Sequence, residues 1–446
     1  MRSTPRLPAA PVAALSAALA AAALSPSLRA GQDEPGAPPS RALLRELAAT
    51  PRLAGTVGSR TGARFVARQL EALGFAVELD EREVVLSLPR RIEVSLIGID
   101  GTRTIQRIEA FDARAIPPGD VPLFNAWSAS GRVTAEVVDV GRGLRADYDA
   151  LRSSGADVAG KIALARYGGA YRGVKADLAA EHGCVGVLLF SDPAEDGAER
   201  GPVWPRGPWK PGDEAQRGSI SPMGRAPGDP STPGFGSPPP GASVRGQRRL
   251  GEDEFARDLP RIPCTPIGAD EARAILAALA AGTRETPPRI ELFVDQPREL
   301  YTIVNVIARW PGRSETYALF GNHRDAWVRG ANDAGSGTIS LLRAAQHFAA
   351  FVRDAGPREA GLALAFWDAE EFGLIGSTEW AEANAERLER ELLVYVNADT
   401  AVHGTRLERL SGTPGLLASV RRAFARTPSI RPPAGPLWAQ LASPGQ

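Results

Sequence analysis

The segment that decides the fold is ETYALFGNHRDAWVRGANDAGSGTISLLRAAQHFAAFVRDAGPREAGLALAFWD (315–368). It begins with an apolar strand pattern, continues through a helical pattern over residues 336–351, and ends with a second apolar strand pattern. The stretches YTIVNVIARW (301–310) and ELLVYVNAD (391–399) flank it with two further strand patterns. This alternating order predicts an α/β fold built on a mostly parallel sheet.

Polar residues follow three of these apolar strands directly. The clusters are GNHRDAWVRGANDAGSG (321–337), WDAEEFGLIGS (367–377) and NADT (397–400). Because ligands of open α/β sheets bind outside the carboxyl ends of the strands, we expect the clusters to meet at one site. Imidazole and carboxylate groups are the ligands of hydrolytic zinc sites, and a spare carboxylate can act as a base. The candidates are His323, Asp325, Asp333, Glu370, Glu371 and Asp399.

Each candidate also has an ordinary structural interpretation. His323 alone could be a satisfied histidine of the core or of a loop. Glu370 and Glu371 could lie exposed at a helix start, where the helix dipole favours carboxylates. Asp333 and Asp399 could be turn or capping residues. Their shared placement after apolar strands favours a common site.

Composition excludes several classes of protein. The 446 residues include 52 basic and 52 acidic side chains and 43% hydrophobic residues, which suffices for two or three domains and excludes a disordered, collagenous or coiled-coil chain. A net charge of zero without long single-sign runs argues against nucleic acid as a partner. Cys184 and Cys264 are the only cysteines and leave room for one optional disulfide.

The N-terminal pattern is typical of export. Arg2 and Arg6 precede an apolar run over residues 9–24, and small or polar residues follow up to Ala30. This pattern predicts a secretory signal peptide over residues 1–30 and a secreted or periplasmic protein. The run is shorter than the roughly 20 residues of a membrane span, so we expect a membrane partner only if the segment is retained as an anchor.

The three clusters resemble the metal-site motifs of the glutamate carboxypeptidase II branch of the zinc aminopeptidase superfamily, peptidase family M28, which also contains the transferrin receptor. Further segments resemble the same family in the same order: LAATPRLAGT (47–56), GKIALARYGGAYRGVK (160–175), FSDPAEDG (190–197), AQRGS (215–219), GDPSTPGF (228–235) and IPCTPIGADEA (262–272). The resemblance implies a zinc-exopeptidase (phosphorylase/hydrolase-like) domain interrupted by a β-rich protease-associated (PA) domain. The implied parts are a signal peptide (1–30), a first protease-like part (31–100), an apical PA insertion (101–295) and a second protease-like part (296–446).

The resemblance also implies a role for each candidate. Asp333 would bridge two zinc ions, His323 and Asp399 would complete one site, Glu371 would bind the other ion, and Glu370 would be the general base. Asp325 is similar to the family's aspartate that orients the imidazole ligand. The bridging aspartate of the family precedes a cis peptide, so we expect one at Asp333–Ala334. The implied activity is removal of a terminal residue from a peptide substrate, at either end.

Outside the zinc site the resemblance implies two further sets of residues. Arg172 aligns with the arginine that holds the substrate's terminal carboxylate, although a surface arginine is the alternative. Ser219 stands where the glutamate-specific enzymes carry a substrate-contacting asparagine. Thr232, Phe235, Glu379 and Glu382 match a calcium site that joins the two domains, with exposed helical glutamates as the alternative.

The end of the sequence leads to a second expectation. The family's second zinc takes a further histidine from a segment beyond residue 446, and His182, His347 and His403 have no motif context that would make them replacements. We therefore expect a truncated copy that lacks one zinc ligand and the C-terminal helical domain through which family members form homodimers. Such a chain would be weakly active at best. The alternative is a non-catalytic, receptor-like protein of the transferrin receptor branch.

Overall fold

The structure is a computed structural model that describes residues 38–98, 100–115, 120–221, 227–283, 285–402, 411–428 and 437. The predicted signal peptide, His403 and nearly all of the C-terminal stretch 431–446 lie outside these residues. In the described part of the chain, no helix combines the length and the apolar character that crossing a membrane requires.

The regular elements alternate along the chain much as the sequence predicts. The α-helices are Ser40–Leu47, Val57–Leu73, Arg145–Ser153, Arg172–Glu181, Pro193–Asp196, Glu252–Phe255, Ala269–Ala281, Gly335–Ala355, Ile375–Ala383, Ala385–Glu391 and Leu417–Arg426. The strands are Ala76–Ser87, Arg91–Ile97, Arg103–Ala110, Asn125–Ala126, Gly131–Asp139, Ile162–Arg166, Gly186–Phe190, Gly218–Ser219, Cys264–Pro266, Arg289–Asp295, Arg298–Trp310, Tyr317–His323, Gly361–Trp367 and Leu392–Asn397. The two-residue strand Gly218–Ser219 falls within the segment 201–243 that its glycines and prolines predict to be a loop.

A five-stranded sheet carries the candidate site. Its order is Ala76–Ser87, Arg298–Trp310, Gly361–Trp367, Tyr317–His323 and Leu392–Asn397. The last three strands are parallel to one another, whereas the first two pair antiparallel to their neighbours. The α/β class is confirmed, and the sheet predicted as mostly parallel is mixed. The sheet is mixed because Ala76–Ser87 forms a long antiparallel pair with Arg298–Trp310. This pairing cannot be inferred from the order of the elements along the chain.

The helix Gly335–Ala355 covers the parallel part of this sheet. Its buried residues include Ile339, Leu342, Ala345, Ala349 and Val352, which recur every three or four positions and so line one helical face. This face packs with buried residues of the central strands, such as Val306, Leu364 and Phe366. Packing of this face fixes the start of the helix against the ends of the strands.

A seven-stranded sheet forms the second unit of the fold. Its order is Arg103–Ala110, Arg91–Ile97, Arg289–Asp295, Gly131–Asp139, Ile162–Arg166, Gly186–Phe190 and Cys264–Pro266. The strand Arg91–Ile97 belongs here, although the sequence boundary at residue 100 assigns it to the first protease-like part. The reason is its antiparallel pairing with Arg289–Asp295 and its share in the buried cluster of this sheet. The chain therefore passes between the sheets after Ser87, and the domain boundaries themselves stay a prediction.

The two cysteines do not form the optional disulfide. Cys184 and Cys264 are both buried and free. Burial raises the pKa of the Cys184 thiol to about 11, so this thiol stays protonated at neutral pH. The Cys264 backbone and side chain are held by Ser128 and Asn125 instead.

Candidate metal centre

His323 is the centre of a compact group of possible metal ligands. It is the last residue of the strand Tyr317–His323, and only 3% of its side chain is exposed. Its Nε2 atom lies 3.0 Å from Asp333 Oδ1 and 3.0 Å from Asp399 Oδ1. The three ligand atoms all lie within 4.8 Å of one another. One imidazole and two carboxylates at such spacing make a donor set suited to zinc.

The two carboxylates reach His323 from different directions. Asp399 follows the strand Leu392–Asn397, which runs parallel to the histidine strand, and Asp333 ends the loop before the helix Gly335–Ala355. About half of each aspartate side chain is exposed, so the group opens to solvent on their side. The peptide Asp333–Ala334 is cis, as the family resemblance implies.

Close backbone packing holds Asp399 next to the helix. Asn322 Nδ2 donates hydrogen bonds to the carbonyls of Ala398 and Asp399, at 2.8 and 3.3 Å, and Asn322 Oδ1 accepts one from Thr338. A Cβ atom at Gly337 would lie 2.0 Å from the Asp399 carbonyl oxygen, so only glycine fits there. Asn322 is therefore a site-building residue that the motif analysis missed. Its signal was a lone amide inside an apolar strand.

Asp325 joins the histidine to the two glutamates. Its carboxylate accepts backbone hydrogen bonds from Glu370 and Glu371, at 3.1 and 3.3 Å, and Asp325 Oδ1 lies 3.4 Å from His323 Nδ1. This position suits the predicted role of orienting the imidazole, since Nε2 then points at the aspartates. Glu370 Oε2 lies 4.0 Å from His323 Nε2. Glu371 is outside the compact three-ligand group.

The pKa values of the ionisable groups indicate that negative charge is concentrated at the centre. Burial raises the pKa of Glu370, the neighbouring Asp325, Asp399 and Asp333 add to the rise and His323 opposes it, which gives a pKa of about 7. Burial and the same kind of neighbours hold the pKa of Glu371 well above its ordinary value. Burial lowers the pKa of His323, but its carboxylate partners outweigh burial and raise it overall. A cation would relieve this crowding, so the residues present fit a bound metal ion.

A network of buried charged residues supports the segments that carry the metal centre. Arg324 donates a 2.8 Å hydrogen bond to Asp368, and Ser59 Oγ donates to the same carboxylate. Arg52 donates from its guanidinium to the carbonyls of Arg324, Arg329 and Gly330. Sequence reasoning missed Arg52, Arg324 and Asp368. No motif marks their partners, since Arg324 and Asp368 stand beside the candidate ligands in the sequence and Arg52 lies far from both.

The two predicted substrate residues lie together. Arg172 begins the helix Arg172–Glu181, and its Nη1 donates to the Ser219 carbonyl at 3.3 Å. Tyr171 donates its hydroxyl to the same carbonyl at 2.6 Å. Burial raises the pKa of the Tyr171 hydroxyl, and the negative charge of Glu370 adds to this rise.

The predicted calcium residues are brought together in part. Thr232 Oγ1 donates to Glu379 at 3.1 Å, and the backbone N–H groups of Asp229 and Ser237 donate to the same carboxylate at 2.6 and 2.7 Å. Glu379 is 1% exposed, so its interpretation as an exposed helical glutamate is wrong. Burial raises its pKa to about 7. Glu382 lies one helical turn further on, and burial raises its pKa as well. For Phe235 the structure describes a backbone hydrogen bond to the Thr232 carbonyl, at 3.3 Å.

Two family models match parts of this chain. Residues 305–430 match the model described as Peptidase family M28, and residues 133–220 match the model described as PA domain. The first match contains all the residues of the metal centre, and the second contains Arg172 and Ser219. The resemblance inferred from the motifs is thereby confirmed.

Known proteins show the same relationship over most of the chain. A probable glutamate carboxypeptidase of Zea mays, VP8, is 35% identical over 394 residues, which are 83% of this chain and 51% of that protein. The mouse aminopeptidase NAALADL1 is 30% identical over 391 residues, which are 79% of this chain and 50% of that protein. A solved zinc aminopeptidase from Bacillus subtilis shares the fold, with a TM-score of 0.51, 19% identity and coverage of 81% of this chain and 68% of its own. The chain spans about half the length of the curated relatives it matches.

Proposed function

The chain belongs to peptidase family M28, in its glutamate carboxypeptidase-like branch, and from this premise we propose that it acts as a zinc-dependent exopeptidase on peptide substrates. The observation that carries the proposal is the meeting of His323, Asp333 and Asp399 within 4.8 Å at the ends of parallel strands. The relatives are named as carboxypeptidases and as an aminopeptidase, so the proposal covers cleavage at either terminus.

We assign the metal ligands from the placement of the carboxylates. His323 and Asp399 would hold one zinc ion, Asp333 would be shared, and Glu371 would serve a second ion. The number of ions is part of the proposal, since Glu371 stands apart from the compact group. When bound, zinc at such a site lowers the pKa of a water molecule and polarises the carbonyl of the peptide.

Glu370 would perform the proton transfers. Its side chain is 28% exposed and faces the histidine at 4.0 Å, so it can reach a water molecule at the centre. A pKa of about 7 in the metal-free protein matches a group that gains and loses a proton near neutral pH. Glu370 would take the proton of the attacking water and deliver it to the leaving amine nitrogen. Asp325 would hold His323 in the orientation that the centre needs.

Arg172 would bind an anionic group of the substrate. Its guanidinium is held near the Ser219 carbonyl, and a planar fork of donors suits a carboxylate. With serine at position 219, we do not assign a strict preference for glutamate. For the proposed calcium site, support comes from the hydrogen bond between Thr232 and the buried Glu379.

Three further features of the whole protein remain proposals. The pattern of residues 1–30 supports export to an extracytoplasmic compartment, with membrane attachment if that segment is retained. A homodimer is proposed on the family resemblance alone. The receptor-like alternative is less favoured, because the chain retains Glu370 and the group of His323, Asp333 and Asp399.

The test compares Glu370→Gln with the unchanged protein after loading both with zinc. Hydrolysis of short peptides blocked at one end or the other should fall by about 100- to 10,000-fold in the variant, while its zinc content is unchanged. A matched control is Glu389→Gln, since Glu389 is exposed on the helix Ala385–Glu391. Equal hydrolysis by Glu370→Gln and the unchanged protein would refute the assignment of the base. Hydrolysis that resists removal of zinc would refute the proposed function.

A further inference from the structure

Three non-glycine residues of the described chain adopt a positive φ angle. They are Trp127 at 71°, Ala369 at 54° and Leu374 at 61°. Such a conformation is unfavourable for residues with a side chain, and it persists only where the surroundings impose it. Ala369 and Leu374 bracket the turn that carries Glu370 and Glu371. Trp127 comes from a distant part of the sequence and contacts the same turn.

Trp127 holds the turn through its indole N–H. The residue follows the two-residue strand Asn125–Ala126, inside the segment 101–295 predicted as the apical insertion, and is 1% exposed. Trp127 Nε1 donates a 2.5 Å hydrogen bond to the carbonyl oxygen of Phe372. The next carbonyl, that of Gly373, accepts a 2.9 Å hydrogen bond from the Gly228 backbone. Both donors belong to the predicted insertion.

The opposite side of the turn is fixed by the peptidase part. Asp325 accepts the N–H groups of Glu370 and Glu371, as described above. The N–H groups of the turn are therefore fixed from one side and its carbonyls from the other. The ring of Phe372 also packs against Trp327, with the ring centroids 5.2 Å apart.

We propose that Trp127 is a positioning residue for Glu370 and Glu371. Its indole N–H fixes the Phe372 carbonyl and so orients the turn that supplies the base and a zinc ligand. This inference rests on the proposed function of the two glutamates. Without the indole N–H group, the buried Phe372 carbonyl loses its donor, and the peptide between Phe372 and Gly373 is then held through the Gly373 N–H, which donates to the Glu370 carbonyl at 2.9 Å. With one of its two fixed sides released, the turn would let Glu371 shift relative to the histidine.

The decisive variant is Trp127→Phe, which keeps an aromatic ring but has no N–H group. The matched control is Trp327→Phe, because Trp327 is partly buried against the cluster that contains Trp127 and the structure describes no hydrogen bond from its indole. Zinc affinity is measured by competition with a chromophoric chelator, and the geometry of the centre by the visible absorption of the cobalt(II)-loaded proteins. Both variants are first checked for a cooperative unfolding transition.

We expect Trp127→Phe to bind zinc about 10-fold more weakly than the unchanged protein and to show an altered cobalt spectrum. Trp327→Phe should bind zinc within about twofold and keep the spectrum, since it removes ring atoms only. In peptide hydrolysis, Trp127→Phe should lower kcat and leave KM within about twofold. If Trp127→Phe does not fold, benzothienylalanine at position 127 replaces the N–H by sulfur in a bicycle of similar shape, and the same results are expected.

The inference would be overturned if Trp127→Phe had the same zinc affinity and the same cobalt spectrum as the unchanged protein. Equal losses in Trp127→Phe and Trp327→Phe would also overturn it, since ring packing would then be the cause. An unchanged protein that binds no zinc would overturn the proposed function and this inference with it. That outcome is distinct because it is seen before any variant is compared.

Discussion

Arg324 and Asp368 form a fully buried ion pair, with Arg324 Nη2 2.8 Å from Asp368 Oδ2. Arg324 lies between His323 and Asp325, and Asp368 lies two residues before Glu370. The pair therefore ties the strand end that carries the histidine to the turn that carries the base. Ser59 bonds both partners, Arg324 also donates to the Val304 carbonyl, and the Val304 N–H donates to Asp368, whereas the buried Arg324 Nε has no partner among the described residues.

Removing one partner of this pair should strongly destabilise the folded protein. Because Arg324→Met leaves the Asp368 carboxylate buried without its cation, we expect a loss of about 3–5 kcal/mol in the free energy of unfolding. Urea denaturation of the metal-free proteins measures the loss. The control is Arg387→Met, which removes a half-exposed partner of Glu391 and should cost less than about 1 kcal/mol. Similar losses in both variants would contradict the importance of the buried pair.

Arg52 should contribute to zinc binding although it is not a metal ligand itself, because it holds the loop before Asp333. Its guanidinium donates to the carbonyls of Arg329 and Gly330, at 2.6 and 2.8 Å, in the loop that leads to Asp333. Arg52→Met removes the guanidinium from both carbonyls, of which that of Gly330 still accepts a bond from the Gly335 N–H at 3.0 Å, and we expect stability to fall by about 3 kcal/mol and zinc affinity by about 10-fold. Chelator competition and urea denaturation measure the two effects. Arg64→Met, at an exposed position of the helix Val57–Leu73, serves as control. Zinc affinity unchanged in Arg52→Met would show that the loop holds Asp333 without it.

A methyl group at position 337 should displace Asp399. In Gly337→Ala the new Cβ atom would meet the carbonyl oxygens of Asp399 and Ala398 at 2.0 and 2.2 Å, so the helix start must move away from the strand end. We expect zinc affinity to fall by about 10-fold or more. Gly412→Ala is the matched control, because a Cβ atom there meets nothing within 4 Å. Wild-type affinity in Gly337→Ala would mean that Asp399 does not depend on this contact.

Glu370 should make the metal-free protein less stable as the pH rises. Its pKa is about 7 in the folded protein and about 4.3 in an unfolded chain, so between these values the folded state binds more protons. Stability from this group is therefore present below about pH 4 and is lost as the pH rises to about 7. The neutral Glu370→Gln should be more stable than the unchanged protein by about 3 kcal/mol at pH 7.5, and similar to it at pH 4.

Urea denaturation of the metal-free proteins at the two pH values measures this difference. Saturating zinc should reduce the difference, since a cation stabilises the ionised carboxylate. Glu389→Gln should show no pH-dependent difference, because Glu389 is exposed. A difference of the same size at both pH values would exclude titration of Glu370 as the cause.

The ligand group could be predicted from the sequence because parallel strands end at one edge of a sheet. His323 and Asp399 end or follow adjacent parallel strands, and Asp333 precedes the helix that packs on them. The supporting residues could not be predicted, since their partners are distant in the chain. Arg52 bonds a carbonyl 272 residues away and Trp127 one 245 residues away. The place of the strand Arg91–Ile97 in the seven-stranded sheet could not be predicted for the same reason, because its partner is Arg289–Asp295.

The central claim is that His323, Asp333 and Asp399 bind zinc. Elemental analysis of purified protein, after loading with zinc and removal of the excess, tests this most directly when the unchanged protein is compared with His323→Ala. The account predicts at least about one tightly bound zinc ion per unchanged chain and a clear loss of zinc in the variant. No zinc above the buffer level in the unchanged protein, or equal zinc in the two proteins, would contradict it.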